Sequence, residues 1–490
     1  MKIHNTLTGK KETLTTLIPN QIKMYTCGQT VYNDIHIGNA RFYVAYDAIR
    51  RYLEYKGYKV KYVQNFTDIE DKIIQRAAEE CTTTCELAEK YIARTLEDLT
   101  ALNVRHATIH PKATEEMPEI IAMIEKLIQS SHAYHINGSV YFNTADAEGY
   151  GKLSRKKIED LISGARVEVD PEKQNPTDFI LWKPAKPGEP YWESPWGNGR
   201  PGWHIECSAM ALKYLGEEID IHGGGGDLIF PHHENEIAQS EAANGKNFAR
   251  YWMHSGLITV NHKKMSKSQG NFQTIREIAE RFSYDVIRFY LVSGHYRAPM
   301  EFTDEVIKAA EQGLNRIKNC YRNLTHAEKT TSNGLVDETT KESADKYVKA
   351  FEDAMDDDFN AADAVTAIYE LVTFANKQIP TITKEGAQYL REKLQLLCGL
   401  LGIEAEKTVP FSRTVSDNTS TNISAHSQFH AEAQVSEAAL TDEEVETLIS
   451  ARAAARAAKN FAESDRIRDE LAGKGIILED TRGGVRWHRA

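Results

Sequence analysis

The stretch Tyr25–Tyr46, YTCGQTVYNDIHIGNARFYVAY, leaves few folds open to this chain. Apolar residues Ile22, Met24 and Tyr25 predict a short buried strand leading into it. Beyond it Phe42, Val44, Ala45, Ile49 and Leu53 recur at helical spacing, and Gly57 is placed to end the helix. A second apolar run, Tyr58 to Phe66, predicts the next strand. Strand, glycine-containing loop, helix and strand make one βαβ half of a doubly wound parallel sheet. Ligands of such sheets sit beyond the carboxyl ends of the strands, where a helix start presents backbone N–H groups. Cys27 ends the first strand, and His36, Gly38 and Asn39 lie at the helix start.

The remaining chain reads as further layers around that unit. Asp71 to about Lys126 is mostly amphipathic helix, interrupted near Thr82 and His106. Cys81 and Cys85 have no His or third Cys nearby and read as ordinary partly buried thiols. HINGSVYFNT predicts a hairpin, and the Pro-, Gly- and Trp-rich segment to Gly202 reads as an insertion between two halves of the sheet. Then come a helix, WHIECSAMALKYLG, closed by Gly216, and a strand, EIDIHGG. A helix from PHHENEIAQSEAANG, a strand at Gly256–Val260 and the loop HKKMSKSQGN follow. Thr303 to Ile403 is helical, with Asn360 placed as a cap. The Ser-, Thr-, Asn- and Gln-rich run after Glu404 reads as a flexible linker before a small helix-and-strand unit. The expected architecture is an α/β, Rossmann-like doubly wound parallel-sheet catalytic domain in two halves, 1–115 and 201–303. A connective insertion, 116–200, separates them, and an α-helical bundle, 304–403, a linker, 404–439, and a C-terminal α/β unit, 440–490, complete the chain.

A formal charge of -12 over 490 residues rules out a globally basic nucleic-acid binder, while a local basic surface remains open. The amino terminus has no signal-like apolar core and no run approaches membrane-spanning length, so a cytoplasmic protein is expected. Six irregularly spaced cysteines suit reduced thiols, some of them metal-binding.

Two constellations carry chemistry. Cys27, Cys207, His232 and Glu236 could meet in space, since His232 and Glu236 are i and i+4 on one helix face. Two thiolates, an imidazole and a carboxylate suit Zn²⁺ better than Mg²⁺ or Ca²⁺, which prefer oxygen shells. An isolated HxxxE is also a common surface pair, His233 and Glu234 compete for the role, and nothing local links Cys27 to Cys207. In the second constellation Gly38 admits a nucleotide close to the backbone, and His36 and Asn39 can hydrogen-bond phosphates. The same two residues could simply cap the helix. Lys264, Ser266 and Lys267 in KMSKS offer mobile donors for a triphosphate, or else form a solvated basic loop. Gly223 to Gly226 is no dinucleotide fingerprint and reads as a loop letting backbone approach a ligand.

Taken together, HIGN and KMSKS in this order, with a long insertion between them, resemble the class I aminoacyl-tRNA synthetases. CGQTVYNDIHIGNAR, GRPGWHIECSAM and FPHHENEIAQSEA resemble the cysteinyl members in particular. The likeness extends through DDDFNAADA to the tail ESDRIRDELAGKGIILEDTRGGVRW. It implies that ATP activates L-cysteine as cysteinyl-adenylate, with Mg²⁺ accompanying the ATP. The cysteinyl group then passes to the 2′-hydroxyl at the 3′ end of tRNA(Cys). It further implies Cys27, Cys207, His232 and Glu236 as ligands of one Zn²⁺ per chain. His36, Gly38, Asn39, Lys264, Ser266 and Lys267 fall to ATP; His36, Asn39, Lys264 and Lys267 carry the catalysis. Gly28, Thr67, Trp203, His222 and Asp227 fall to the amino acid, Asp227 facing its ammonium group. A monomer is expected. Shape alone separates cysteine from serine by only ~1–3 kcal/mol, whereas a 10⁴ fidelity needs about 5.4 kcal/mol. A metal that binds the thiol as thiolate supplies the difference. Four protein ligands normally close a zinc site, so the substrate sulfur has to add to that shell or displace a ligand, most simply Glu236. Arg482, Arg486, Trp487 and Arg489 are the tail residues suited to RNA phosphate and base stacking.

The chain departs from the family at Gln29, where proline is usual, which predicts a looser turn after Cys27. It departs again at Gln75 in Lys72-Ile73-Ile74-Gln75, which puts any accessory activity of a second lysine there in doubt. An amino-sugar cysteine ligase, a zinc hydrolase on His232 and Glu236, and a non-catalytic RNA-binding relative are the rival readings. None uses all the signatures and the long helical region together. Lys267→Ala should depress adenylate formation far more than cysteine binding in pre-steady-state assays; equal losses would remove the transition-state role.

Overall fold

Four parallel strands form the central sheet, in the spatial order Ala249–Ser255, Ile219–Gly225, Gln21–Thr26 and Lys59–Gln64. The computed structural model that shows this describes residues 1–155, 171–260, 263–264, 272–406, 442–458, 460–481 and 484–489. Side chains of successive strand residues point to opposite faces, and both faces are covered. Met24, Tyr62 and Met253 pack with helix Ile37–Tyr55 on one side. Tyr25, Val63 and Trp252 pack with residues of helices Trp203–Leu215 and Glu234–Asn244 on the other. Chain order reverses between Gln21–Thr26 and Ile219–Gly225, and that switch point is where the site lies.

The Rossmann-like expectation holds, with one strand reassigned. Gly256–Val260 does not join this sheet. Ile258–Val260 pairs with Lys263–Lys264 and Met300–Phe302 in a separate sheet, and Ala249–Ser255 takes the fourth position. ARYWMHS hides its strand character because His254 and Ser255 are polar, yet both are buried. His254 meets that cost by bonding His233 Nδ1 through Nε2 and Thr6 Oγ1 through Nδ1, each at 2.8 Å. An N-terminal hairpin, Lys2–Asn5 with Lys10–Thr13, lies beside the outer strand, where Asn5 bonds Arg250 O and Trp252 N. It covers an edge that would otherwise be open to pairing.

The insertion is more regular than its composition suggests. Ala133–Ile136, Ser139–Phe142, Phe179–Pro184 and Gly199–Pro201 form an antiparallel sheet over Phe142, Leu181 and Trp182. Helices Asp304–Thr330, Glu338–Asp356, Ala361–Gln378 and Lys384–Leu400 follow, with Asn360 Oδ1 accepting from Asp363 N as its cap position predicts. Their core is continuous with that of helix Ile37–Tyr55. Residues 406–490 form a separate unit, in which helices Asp442–Ala457 and Phe461–Gly473 pack on the hairpin Ile476–Thr481 and Gly484–Arg489. Trp487 Nε1 donates to Glu446 Oε1 within that unit at 2.7 Å. Most of the expected linker, Arg482, and the Arg486 and Arg489 side chains lie outside the described residues. Among the described residues no helix is long and apolar enough to cross a membrane.

Helix Ile37–Tyr55 is buried on nearly every side, so its polar residues need partners inside. Asp47 meets Arg288 of helix Tyr284–Val292 at 2.6 Å and Arg51 at 2.7 Å. Burial pushes the Asp47 carboxyl up, but the Arg288 and Arg51 guanidiniums outweigh it and hold it below the usual carboxylate range. Asp47→Ala leaves Arg288 buried without its carboxylate and should cost about 3–5 kcal/mol, read by urea denaturation. Because the folded pKa is depressed, the stabilisation is complete above about pH 4 and is lost as pH falls through the lower folded value. The thermal midpoint of the wild type should therefore fall more steeply below that pH than that of Asp47→Ala.

Candidate active site and metal centre

At the carboxyl end of strand Gln21–Thr26 a cleft of about 430 Å³ opens between the two half-sheets. Its lining includes Cys27, Gly28, Gln29, His36, Gly38, Asn39, Trp203, Asp227, Leu257 and Phe272. Gly28 has no substitute here, since a Cβ would stand 1.7 Å from the Asn65 carbonyl oxygen. Its N–H donates to Asn65 Oδ1 at 2.8 Å, which sets the turn after Cys27. Gln29 does not leave that turn loose as its departure from proline predicts. Its Nε2 donates at 2.7 Å to Thr95 Oγ1, a buried hydroxyl on helix Thr84–Ala101.

His36 and Asn39 form the helix cap that the sequence allows. His36 Nδ1 accepts from Asn39 N at 3.1 Å and Asn39 Oδ1 accepts from His36 N at 3.3 Å, a reciprocal cap. Both residues also line the cleft. With Nδ1 accepting, a neutral His36 ring carries its proton on Nε2. The segment after the lysine loop docks on the same place: Ile37 N donates to Gln273 O and Ile275 N to Ile35 O. The Lys264 side chain, Ser266 and Lys267 lie outside the described residues. Both ends of their loop are nonetheless anchored, one by this docking and the other by the pairing of Lys263–Lys264 with Ile258–Val260.

Beneath the cleft lies a buried cluster. Ligand atoms of Cys27, Cys207, His232 and Glu236 all fall within 4.8 Å of one another, and each residue is at most 4% exposed. Cys27 Sγ is 3.0 Å from Glu236 Oε1, His232 Nε2 is 3.0 Å from the same oxygen, and Cys207 Sγ is 3.7 Å from His232 Nε2. Burial opposes ionisation of Cys207, yet the Cys27 thiol and His232 bring it down to about 6. Burial opposes charging His232 as well, and Glu236 raises it to about 10. Burial likewise works against the Glu236 carboxylate, but His222 and His232 hold it well below its usual range. Anionic sulfur and oxygen gathered out of water are what a soft-to-borderline cation needs. A second group, Cys27, His222, His233 and Glu236, shares two members with the first. His233 bonds His254, and burial keeps it well below the usual imidazole range.

Of the other expected residues, His222 and Thr67 are buried outside the cleft lining, whereas Trp203 lines it. His222 is fully buried with Nε2 2.8 Å from Glu236 Oε2, so it supports the carboxylate. Thr67 donates to Glu206 Oε2 at 2.9 Å, and its backbone pairs with Gln29 and Val31, which braces the loop after Cys27. Trp203 lies against His232, ring centroids 4.2 Å apart. Gly223 and Gly224 make room for Tyr46 and His233 rather than for a ligand, and only Gly225 reaches the cleft. Cys81 and Cys85 are exposed, not partly buried, because they flank a short turn between two surface helices. Lys72, the first residue of the Lys72-Ile73-Ile74-Gln75 element, also lines the cleft, as does Asp34, which carries no distinguishing local pattern.

Comparison with known proteins agrees with this geometry. Residues 13–312 match the model of the tRNA synthetases class I (C) catalytic domain, 350–406 a DALR domain, and 439–487 a cysteinyl-tRNA ligase anticodon binding domain. The chain is 50% identical over 499 residues to the cysteine--tRNA ligase of Lachnoclostridium phytofermentans, covering 100% of both. It is equally identical, over the same length and coverage, to that of Carboxydothermus hydrogenoformans. In fold it is similar to a Mycobacterium tuberculosis methionyl-tRNA synthetase in complex with methionyl-adenylate, with TM-score 0.57 at 17% identity over 78% of this chain and 89% of that one. The two overlapping metal-capable groups make different predictions. Cys207→Ala or His232→Ala should abolish stoichiometric metal in elemental analysis, whereas His222→Ala and His233→Ala should retain it with affinity lowered about 10–100-fold.

Proposed function

Because the chain belongs to the cysteine--tRNA ligases of class I, we propose that its cleft joins L-cysteine to ATP and that the buried cluster selects the thiol through Zn²⁺. One observation carries the reading: Cys27 lines the cleft and is also a member of the metal-capable group. The side chain of an amino acid lying against Cys27 therefore meets the cluster, while its carboxylate points toward His36 and Asn39.

The donor set fits zinc. Two thiols, an imidazole and a carboxylate converge in a pocket that keeps Cys207 and Glu236 anionic, and the bond from His222 orients Glu236 as an outer-sphere partner would. Bound there, zinc supplies affinity for a thiolate that a serine hydroxyl, harder and far less acidic, does not match. This chain's own residues do the rest. Gly28 lets the amino acid approach the backbone, Trp203 walls the pocket beside His232, and the Asp227 carboxylate faces the cleft as partner for the ammonium group.

For the nucleotide, Nε2–H of His36 and the Asn39 side chain are the donors nearest the capped helix start, where phosphate is already favoured. The substrate carboxylate attacks the α-phosphate and pyrophosphate leaves, so catalysis is positioning and charge stabilisation. Lys264, Ser266 and Lys267 are assigned to the departing phosphates, and the described segments on either side of their loop pair with Ile258–Val260 and with Ile35–Ile37. Mg²⁺ enters with the ATP phosphates. The cysteinyl group then passes to the terminal ribose of tRNA. The halves 1–115 and 201–303, the insertion 116–200, the bundle 304–403 and the unit 440–490 are the corresponding division of labour, the last two binding the tRNA.

Cysteine-dependent ATP–pyrophosphate exchange, followed by charging of tRNA(Cys), tests the reading. Zinc-replete enzyme should prefer cysteine to serine by about 10⁴, equivalent to about 5.4 kcal/mol. Enzyme stripped of zinc should lose most of that preference. Unchanged discrimination without the metal would make the cluster purely structural.

A further inference from the structure

We propose that Arg41 is a positioning residue for the nucleotide wall of the cleft, acting through backbone carbonyls of two loops rather than on ATP itself. The proposal rests on the reading of the cleft given above. Arg41 follows His36–Asn39 on the same helix and is 1% exposed. Its Nη1 donates to Leu257 O at 3.0 Å, and Nη2 donates to His295 O at 3.2 Å, Tyr296 O at 3.3 Å and Ala298 O. Leu257 belongs to the segment Gly256–Ile258, which lines the same cleft as His36 and Asn39. One planar fork on the signature helix thus holds both this lining segment and the 295–298 loop packed against it.

The surroundings show why that wall needs a clamp. Gly256 packs so closely on the 295–298 loop that a Cβ there would lie 2.4 Å from Ala298 O and 2.6 Å from Arg297 O. Gly256 N donates to Tyr296 O and Met300 N to Leu257 O, so these oxygens already have one partner each. Carbonyl dipoles converging on one spot repel one another unless a cation sits among them. The hydrogen bonds of Arg41 all go to such carbonyls. Arg288, also buried, donates to Leu401, Leu102 and Asn103 carbonyls too, but it has the Asp47 carboxylate at 2.6 Å and none of its acceptors lines the cleft. Burying a guanidinium is expensive, and at Arg41 it is spent on the geometry of one cleft wall. The far side of the same loop is held by Asp358. Its carboxylate accepts from His4 N at 2.7 Å, Tyr296 Oη at 2.9 Å and Arg297 Nε at 2.7 Å.

The test compares wild type with Arg41→Met, Arg41→Lys and Gly256→Ala in the exchange assay, with thermal midpoints recorded for each. Misplacing the wall should raise KM for ATP about ten- to hundredfold and leave KM for cysteine within about twofold. Arg41→Lys keeps the charge but cannot span four carbonyls, so it should not restore ATP binding. Gly256→Ala wedges the wall from the other side and should give the same split. If Arg41→Met does not fold, the other two variants carry the comparison. Equal rises in both KM values, or full rescue by lysine, would overturn positioning in favour of general stability or simple charge. Absence of exchange in the wild type would instead sink the functional reading, and calorimetry with Mg-ATP alone would still rank the variants.

Discussion

The Glu236 carboxylate is the point on which the site is built. It is completely buried, with one oxygen against Cys27 and His232 and the other against His222. A carboxylate out of water costs several kcal/mol unless cations and donors surround it. Here those partners arrive from strand Gln21–Thr26, strand Ile219–Gly225 and the turn before helix Glu234–Asn244. Meeting that cost therefore requires the two half-sheets to be in register. Apolar residues of the same volume would pack as well or better, which points to chemistry rather than stability as the reason for the cluster.

The helix that follows serves two ends at once. His36 and Asn39 satisfy each other's backbone and also line the cleft, so one pair of side chains both caps the helix and borders the pocket. The same helix is buried along its length, holding Arg288 through Asp47 and the cleft-lining Leu257 backbone through Arg41. The signature and the segment Gly256–Ile258 are thus tied by bonds that run from one helix to two loops. The helical bundle shares this core, and through Asp358 it also touches the loop behind the wall.

Much of the fold could be read directly. Strands with uninterrupted apolar runs, helices with capping residues and the hairpin at HINGSVYF were legible because their signals are local. Ala249–Ser255 was not, since its polar residues are buried against His233 and Thr6, partners distant in sequence. Phe179–Pro184 was obscured by neighbouring Pro, Gly and Trp, although its core residues Leu181 and Trp182 are fully buried. Gln29 misled for the same reason: the bond that steadies its turn goes to Thr95 on another helix.

The amino-acid sequence by itself determined the βαβ frame, the order of the signatures and the chemical types available to the site, because periodicity, caps and residue identity are properties of short stretches. Only the tertiary structure decided that Cys27 and Cys207 converge with His232 on Glu236, that the buried His222 bonds the same carboxylate, and that Arg41 reaches the Leu257 backbone. Those facts depend on which strands become neighbours across a long insertion. Burial then gives each buried charge a short list of acceptable partners, and the fold selects them.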